Sequence, residues 1–333
     1  MNWRFRILGE RKFFNHMFSH SQKSELVTAI KGRGEIPLKF VYISKAGTNR
    51  WDKIAKTRSS EDVRGINSIE GNLLNAKVSD FLNSFKNLDK LNIIDIGPGN
   101  GYPVMPLLQP LKKLGVNFRY VPIDISDEML KLAAENIKVA FPDVEIKPVR
   151  LDFELGNFAE ETYKLREGGF QNLMLFLGST LGNQSDRSRV LTNFRDSMTS
   201  DDFLIIGVEL VNLHKIDKLL KHYEGKDAAD FVFTVAEELG IKQGDGKFEV
   251  VFNNEVHQVE IYFHFGKNIK INFEGDEISF EKDDKLLLSR SHKFTEWIFT
   301  KVLSEAGFRL ELMTTSSEKG YSLVMCQPQR FNY

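Results

Sequence analysis

The sequence predicts a mixed α/β fold, in which an open and mostly parallel sheet is accompanied by a second, smaller α+β part. Three observations support this prediction. Residues 92–101 (NIIDIGPGNG) are an apolar run that ends in a carboxylate and three alternating glycines. From residue 91 onward, apolar runs of strand length alternate with helical patterns, as in parallel sheets. Between about residues 215 and 288 this alternation stops, and period-two patterns indicate antiparallel strands with one solvated face.

The glycine-rich segment indicates a loop whose backbone approaches a ligand closely. Asp95 is followed by Gly97, Gly99 and Gly101, and glycine is the residue that tolerates such a turn. A dinucleotide-binding turn needs glycine at its first, third and sixth positions, and the sixth position here is Tyr102. A nicotinamide-dependent dehydrogenase is therefore disfavoured. The remaining pattern is similar to the first motif of class I S-adenosylmethionine (SAM) methyltransferases.

The other elements follow from apolar periodicity and from capping residues. Ser126, followed by Asp127 and Glu128, has the pattern of a helix start. In the predicted core, the strands are 91–96, 118–125, 144–150, 172–177 and 203–210, and the helices are 69–85, 104–114, 126–140 and 187–198. After residue 215 we predict a polar helical stretch at 218–240, antiparallel strands within 247–265 and 269–280, a helix at 294–306, and strands at 308–313 and 321–326.

The composition excludes several classes of protein. The formal net charge of −1 over 333 residues gives no basic excess for nucleic-acid binding. Cys326 is the single cysteine, so no internal disulfide and no cysteine-based metal cluster forms, and the seven histidines lack metal-ligand spacing. No apolar run approaches the roughly 20 residues of a membrane span. We expect a cytoplasmic protein without metal, membrane or nucleic-acid partners, and the oligomeric state stays open.

Two further acids follow predicted strands at the edge where open α/β sheets bind ligands. Asp124 ends the second strand and is placed to accept both ribose hydroxyls of SAM, although it would equally suit a nicotinamide dinucleotide. Asp152 follows the third strand and is placed to accept the adenine amino group, with Phe153 beside it to pack against the purine. Each acid alone could be a helix cap or a solvated loop residue. Three acids at successive strand ends favour cofactor binding.

Several longer segments resemble the histidine-specific SAM-dependent methyltransferases. The fourth strand continues as GSTLGN (residues 178–183), and the fifth strand reads IIGVELV. Residues 39–54, KFVY followed by Gly47, Trp51-Asp52 and Ile54, are similar to the N-terminal segment of that family, and SHKF at 291–294 is similar to its S-x-K-F. The resemblance runs from about residue 25 to residue 327.

The resemblance implies a domain organisation. A class I methyltransferase core would be accompanied by a substrate domain that is built from the N-terminal segment and from the insertion after the fifth strand. We therefore expect residues 1–68 and 215–288 to form the substrate domain, 69–214 to form the core, and 289–333 to complete the core.

The resemblance also implies site residues. Asn183 corresponds to the asparagine that hydrogen-bonds the substrate's α-amino group, and Tyr223 is the nearest match to a tyrosine that reaches the amino acid. Tyr42 matches an N-terminal tyrosine of the family. Gly178, at the start of GSTLGN, is expected to bind the cofactor. These residues would serve a SAM-dependent N-methyltransferase that acts on a small-molecule amine.

The chain departs from the family pattern where an imidazole would be held. Members that bind histidine usually show E-x-S-x-K-F, and here Ser291 keeps the serine while Ser289 replaces the glutamate. A hydroxyl does not supply the charge-assisted hydrogen bond that a carboxylate gives to an imidazole N–H. The aspartate of the family's tyrosine-aspartate pair is Ile43 here. Histidine and another amino acid or amine are therefore both open as substrates, and a SAM-binding sensor without catalysis is the alternative function.

Overall fold

The computed structural model describes residues 18–61, 66–85, 88–273, 275–318 and 320–329. The N-terminal residues 1–17, part of the predicted substrate domain, and the last residues 330–333 lie outside this description. The helices are α1 (His20–Arg33), α2 (Lys39–Ile43), α3 (Lys45–Glu61), α4 (Ile66–Leu82), α5 (Met105–Lys113), α6 (Asp127–Ala140), α7 (Ala159–Leu165), α8 (Arg187–Asp196), α9 (Ile216–Lys221), α10 (Lys226–Val232), α11 (Thr234–Glu238) and α12 (Glu296–Glu305).

The strands confirm the predicted change from parallel to antiparallel organisation. They are β1 (Lys90–Ile96), β2 (Asn117–Asp124), β3 (Glu145–Ile146), β4 (Val149–Arg150), β5 (Gln171–Phe176), β6 (Phe203–Glu209), β7 (Gly246–Asn253), β8 (Gln258–Phe265), β9 (Ile269–Phe273), β10 (Asp276–Phe280), β11 (Lys285–His292), β12 (Phe308–Thr315) and β13 (Tyr321–Pro328). The main sheet has the order β12-β13-β6-β5-β1-β2-β3, with β4 also paired to β2. Within it, β13 pairs antiparallel with both β6 and β12, and the other pairs are parallel.

The main sheet is buried on both faces, which explains its continuous apolar strands. Alternate residues of β1 point into different cores: Leu91 and Ile93 pack in one cluster, and Ile94 and Ile96 pack in another. Helices α4 and α5 contribute to the first cluster, and α8 and α12 contribute to the second. This double cover leaves the strand ends as the accessible edge.

The predicted third strand is two short strands instead of one. Pro148 separates β3 from β4, and proline has no N–H to donate to the ladder with β2. The backbone N–H of Lys147 donates to the Tyr120 carbonyl, and that of Leu151 donates to the Asp124 carbonyl. The chain therefore still runs beside β2, and Asp152 lies at the same edge of the sheet as Asp124.

A third core joins the N-terminal helices to the insertion after β6. Leu26 of α1 and Phe40 of α2 belong to one buried cluster with Phe231 of α10 and Phe263 of β8. The sequence signal missed β11, which pairs with β8 as far as His292. Strand β11 runs from Lys285 to His292, so the small antiparallel sheet β11-β8-β7 continues past the predicted boundary at 288.

The predicted helical stretch at 218–240 is three short helices, α9 to α11. It is less polar than its sequence suggests, because Phe231, Val232, Phe233 and Val235 are buried in the core shared with the N-terminal helices. Among the described residues, no helix is long and apolar enough to cross a membrane.

Candidate active site

A cavity opens at the carboxyl ends of the parallel strands, between the main sheet, the N-terminal helices and the β11-β8-β7 sheet. The cavity brings together the predicted site residues Tyr42, Asp95, Gly97, Gly99, Asp124, Asp152, Phe153, Gly178, Asn183, Tyr223, Ser289 and Ser291. Gly101 is the exception. A Cβ there would lie 3.1 Å from the Ala133 carbonyl oxygen, so Gly101 is where the turn packs against α6 and does not line the cavity.

The glycine-rich turn has the backbone conformation that its spacing predicts. The φ angles of Gly97, Gly99 and Gly101 are 63°, 56° and 77°, in the left-handed region that side chains disfavour. Gly97 N–H donates to the Ile123 carbonyl at 2.8 Å, which ties the turn to β2. A Cβ on Gly99 would lie 3.0 Å from the Trp51 indole nitrogen, so α3 closes over the turn.

Two of the predicted acids are buried at this edge of the sheet. Asp95 accepts a hydrogen bond from the Tyr120 hydroxyl at 2.8 Å, and Asp124 accepts one from the Ser126 N–H at 2.9 Å. Burial raises the pKa of each carboxyl to about 7, against the opposing effect of these hydrogen bonds. The helix cap belongs to Ser126, whose hydroxyl accepts from the Met129 N–H, so capping does not account for Asp124.

Asp152 is held by a lysine that the sequence analysis did not single out. Lys39 of α2 donates to Asp152 Oδ2 at 2.9 Å and also contacts Glu25 at 2.7 Å and Glu154 at 3.6 Å. Burial lowers the pKa of Lys39, but the surrounding carboxylates outweigh burial and the net shift is upward. The other Asp152 oxygen accepts from the Glu154 N–H at 3.0 Å.

The loop after β5 places Asn183 in the cavity. Gly178 and Ser179 are both left-handed, with φ angles of 68° and 58°, and a short 3-10 turn follows from Thr180 to Asn183. The Gly178 N–H donates to both oxygens of Glu70 at 3.0 and 3.2 Å. Glu70 is a fully buried α4 residue, and its burial raises the pKa of the carboxyl to about 7.

The turn that carries Asn183 packs directly on β11. A Cβ on Gly182 would lie only 2.5 Å from the His292 carbonyl oxygen, so this approach requires glycine. Asn183 is thereby fixed beside the strand that carries Ser289 and Ser291. The core loop and the small sheet meet at this point of the cavity.

The other end of the cavity contains a buried ionic cluster. The Lys293 ammonium ion-pairs with Glu209 and donates to the Tyr223 hydroxyl at 2.7 Å and to the Ser291 hydroxyl at 3.0 Å. Burial lowers the pKa of Lys293, but Glu209 and Tyr223 outweigh burial and raise it on balance. The side chain of Lys293 is 1% exposed, and that of Glu209 is 12% exposed.

Aromatic side chains close the cavity on two sides. Tyr42, Trp51 and Phe231 pack together with ring centroids 5.4 to 5.8 Å apart. Phe153 packs edge-on against Phe176, with the centroids 5.5 Å apart. Tyr42 and Phe153 both line the cavity, as predicted, and their contacts hold the rings in place.

Sequence reasoning missed Lys39, Glu70, Glu209 and Lys293. Glu209 ends a parallel strand, as Asp124 does, so the strand-end criterion alone would have found it. Lys39 and Lys293 lie within the segments that carried the family resemblance. Their carboxylate partners are distant in sequence, so no local pattern indicated an ion pair. Glu70 is one residue of an apolar helix and gave no signal. Among the described residues, no group of three or more histidine, cysteine or acidic side chains is arranged to hold a metal ion.

Two known proteins are similar to this chain in sequence. The chain is 25% identical over 229 residues to a histidine N-alpha-methyltransferase of Mycolicibacterium smegmatis, covering 65% of this chain and 69% of that protein. It is 29% identical over 178 residues to a histidine N-alpha-methyltransferase of Mycobacterium tuberculosis, covering 53% of this chain and 51% of that protein.

Solved structures are more distant. The magnesium protoporphyrin IX methyltransferase of Synechocystis, with bound S-adenosylhomocysteine, has a TM-score of 0.46 at 15% identity, covering 86% of this chain and 97% of that one. The methyltransferase domain of a citrinin polyketide synthase has a TM-score of 0.49 at 14% identity, covering 92% of this chain and 65% of that one.

The model of a protein family matches most of the chain. It is described as the histidine-specific, SAM-dependent methyltransferases, and it matches residues 22–328. The match spans the glycine turn, the Asn183 loop and β11, so it includes both ends of the cavity. The chain therefore belongs to the family of histidine-specific SAM-dependent methyltransferases, and SAM is its methyl donor.

Proposed function

We propose that this enzyme methylates the amino group of a small amino acid, with Asn183 as the residue that orients the acceptor nitrogen. The observation that carries the proposal is the position of Asn183. Its side chain faces the same cavity as the acids at the strand ends, and its turn is wedged against β11 through Gly182.

The residues at the sheet edge fit a cationic cofactor. Asp95 and Asp124 are buried carboxylates, and burial without a cation is costly for the charged form. A sulfonium in this part of the cavity would offset that cost. In the proposal, the turn at Gly97 and Gly99 accommodates the cofactor's amino-acid portion, Asp124 binds the ribose, and Asp152 with Phe153 binds the adenine.

The chemistry at nitrogen requires a neutral and oriented amine. When bound, SAM would supply an electrophilic methyl group; the nitrogen lone pair would form the new bond while sulfur kept the electron pair of the old one. Only the unprotonated α-amino group has that lone pair, so the ammonium form would first lose a proton to water. The Asn183 amide would orient the amine for in-line attack.

The end of the cavity that contains Lys293 and β11, called the acceptor end, favours an amino acid with a neutral side chain. Phe231, Val232 and Ile261 supply apolar lining, and Ser289 contributes a hydroxyl where histidine-binding members usually have glutamate. Histidine fits when its imidazole is neutral, and so does an amino acid with an apolar aromatic side chain. The curated relatives are named for histidine.

The experiment is a mass-spectrometric screen for methyl gain on amino acids and biogenic amines, with wild type and Asn183→Ala. We expect the variant to lose about 100-fold in kcat, the order found when one orienting polar contact is removed. Its affinity for S-adenosylhomocysteine should change less than twofold in titration calorimetry. Asn254→Ala, at an exposed turn, is the matched control and should behave as wild type.

Two outcomes would contradict the proposal. Equal loss of turnover and of cofactor affinity in Asn183→Ala would mean that Asn183 only shapes the cofactor loop. Binding of S-adenosylhomocysteine without methyl gain on any amine would favour a sensor without catalysis.

A second substitution tests the choice of side chain. Ser289→Glu restores the carboxylate that the family usually places there, and we expect it to raise kcat/KM for histidine by about 10-fold relative to wild type, because a hydrogen bond to a charged group is worth roughly 1.5–3 kcal/mol. If the ratio of kcat/KM for histidine to kcat/KM for tryptophan does not change in Ser289→Glu, residue 289 does not recognise the side chain of the substrate.

The proposal extends to the domain organisation and to the location of the protein. The shared core of the N-terminal helices and the insertion supports a substrate domain made from both. Cytoplasmic location and the absence of a nucleic-acid partner stay predictions.

A further inference from the structure

The ionic cluster at the acceptor end uses every donor of Lys293. An ammonium group has three N–H donors and no acceptor. Those donors go to Glu209, to the Tyr223 hydroxyl at 2.7 Å and to the Ser291 hydroxyl at 3.0 Å. Because Lys293 is fully buried, these protein contacts replace solvent around the charge. No N–H of Lys293 is left to bind a ligand.

This arrangement fixes the polarity of the two hydroxyls. Lys293 cannot accept, so the oxygens of Tyr223 and Ser291 must be the acceptors in these bonds. The single hydrogen of each hydroxyl therefore points away from Lys293. In the part of the chain that the structure describes, neither hydroxyl donates to a protein acceptor, and both side chains line the cavity. Their hydrogens are available to a ligand.

The two hydroxyls are also close to each other. Since both bind the same ammonium, their oxygens lie within about 6 Å of each other. Glu209 neutralises the ammonium, so the cluster offers a ligand two directed donors and little net charge. Each hydrogen can be donated to a ligand acceptor such as a carboxylate oxygen or an unprotonated nitrogen, and each oxygen keeps one lone pair after it accepts from Lys293. A ligand carboxylate can therefore accept a hydrogen bond from both hydroxyls.

We propose that Lys293 is a positioning residue that directs the hydroxyl hydrogens of Tyr223 and Ser291 into the cavity, so that the acceptor end favours amino acids, whose carboxylate accepts these bonds, over the corresponding decarboxylated amines. This inference rests on the proposed function, because it concerns the same methyl acceptor. It adds a reason to expect that a decarboxylated amine binds more weakly than the corresponding amino acid. Lys293 itself does not touch the ligand.

The test is a binding ratio. Titration calorimetry in the presence of S-adenosylhomocysteine compares L-histidine with histamine and L-tryptophan with tryptamine, in each variant. We expect wild type to bind the amino acid of each pair at least about 10-fold more tightly than the amine, as expected for a hydrogen bond to a charged group. Lys293→Met should reduce that ratio by about 10-fold, and so should Tyr223→Phe. Lys301→Met, at an exposed lysine, is the control and should keep the wild-type ratio.

A double-mutant cycle isolates the positioning role. If Lys293 acts through the two hydroxyls, Lys293→Met should change the ratio less than twofold in a Tyr223→Phe/Ser291→Ala background. Additive effects, or an unchanged ratio in Lys293→Met, would overturn the proposal. Should Lys293→Met fail to fold, as judged by loss of S-adenosylhomocysteine binding, Tyr223→Phe and Ser291→Ala still decide, and unchanged ratios in both would refute it.

Failure of the proposed function can be distinguished from failure of the proposed role of Lys293. The ratio is a binding measurement and needs no turnover. A normal carboxylate preference without methyl transfer would contradict only the proposed function, whereas normal methyl transfer with no preference would contradict only the role of Lys293.

Discussion

Buried acids at the two ends of the cavity differ in whether a cation is paired with them. At the edge formed by the strand ends, called the cofactor end, Asp95 and Asp124 accept only from a hydroxyl and backbone N–H groups. No ion pair to either is found among the described residues, although Asp152 nearby is paired with Lys39. At the acceptor end, Glu209 is paired with Lys293. The first end is acidic and suits a cation, and the second is close to neutral and rich in donors.

The difference has a chemical reason. A sulfonium carries a permanent positive charge, so an ionised carboxylate beside it stabilises it. The methyl acceptor must keep a free lone pair, and a lone carboxylate beside it would favour its protonated form. Pairing Glu209 with Lys293 avoids that effect.

The largest effect is expected at the cofactor end. Asp124→Ala removes the carboxylate that we propose accepts two ribose hydrogen bonds, each worth about 1.5–3 kcal/mol when the acceptor is charged. We expect at least about a 100-fold loss of affinity for S-adenosylhomocysteine in calorimetry. Asp127→Ala, three residues away and exposed, is the control. An unchanged dissociation constant for Asp124→Ala would reject its ribose role.

A smaller effect is expected where the N-terminal helices contact the cofactor end. Lys39→Met releases Asp152 and leaves three carboxylates close together, so we expect about a 10-fold loss of affinity for S-adenosylhomocysteine. Lys53→Met breaks an exposed pair with Asp227 and should change the affinity less than twofold. Equal behaviour of the two variants would show that the buried cluster does not support the adenine site.

The smallest effect is a pH dependence of stability without cofactor. Burial raises the pKa of Glu70, Asp95 and Asp124 to about 7 in the folded chain, against roughly 4 when unfolded. Between these values the folded state binds more protons, so the free energy of unfolding should increase as the pH falls from 8 to 5.

The check is chemical denaturation across that pH range with wild type and Glu70→Gln. We expect the variant to have a shallower dependence, because one of the raised carboxyls is gone. Parallel curves would mean that Glu70 does not titrate in this window.

The sequence predicted the local features of the fold well. Each strand of the parallel sheet from β1 to β6 has a counterpart among the predicted strands, apart from the interruption at Pro148, which a closer look at proline would have found. The left-handed glycines and the Ser126 cap were also readable, because they depend on neighbouring residues only. The strand β11 was missed, since its edge of the small sheet is defined by pairing with β8 and its own pattern is weak.

The sequence by itself determined which residues end the strands, where the backbone must bend and which segments form two different kinds of sheet. Only the tertiary structure decided the partners: Lys39 with Asp152 across 113 residues, Glu70 with Gly178 across 108, and Lys293 with Glu209 across 84. Periodicity and turn chemistry act within a few residues and leave a local record. The pairing of a buried charge depends on which elements pack together, and that is settled only when distant parts of the chain fold against each other.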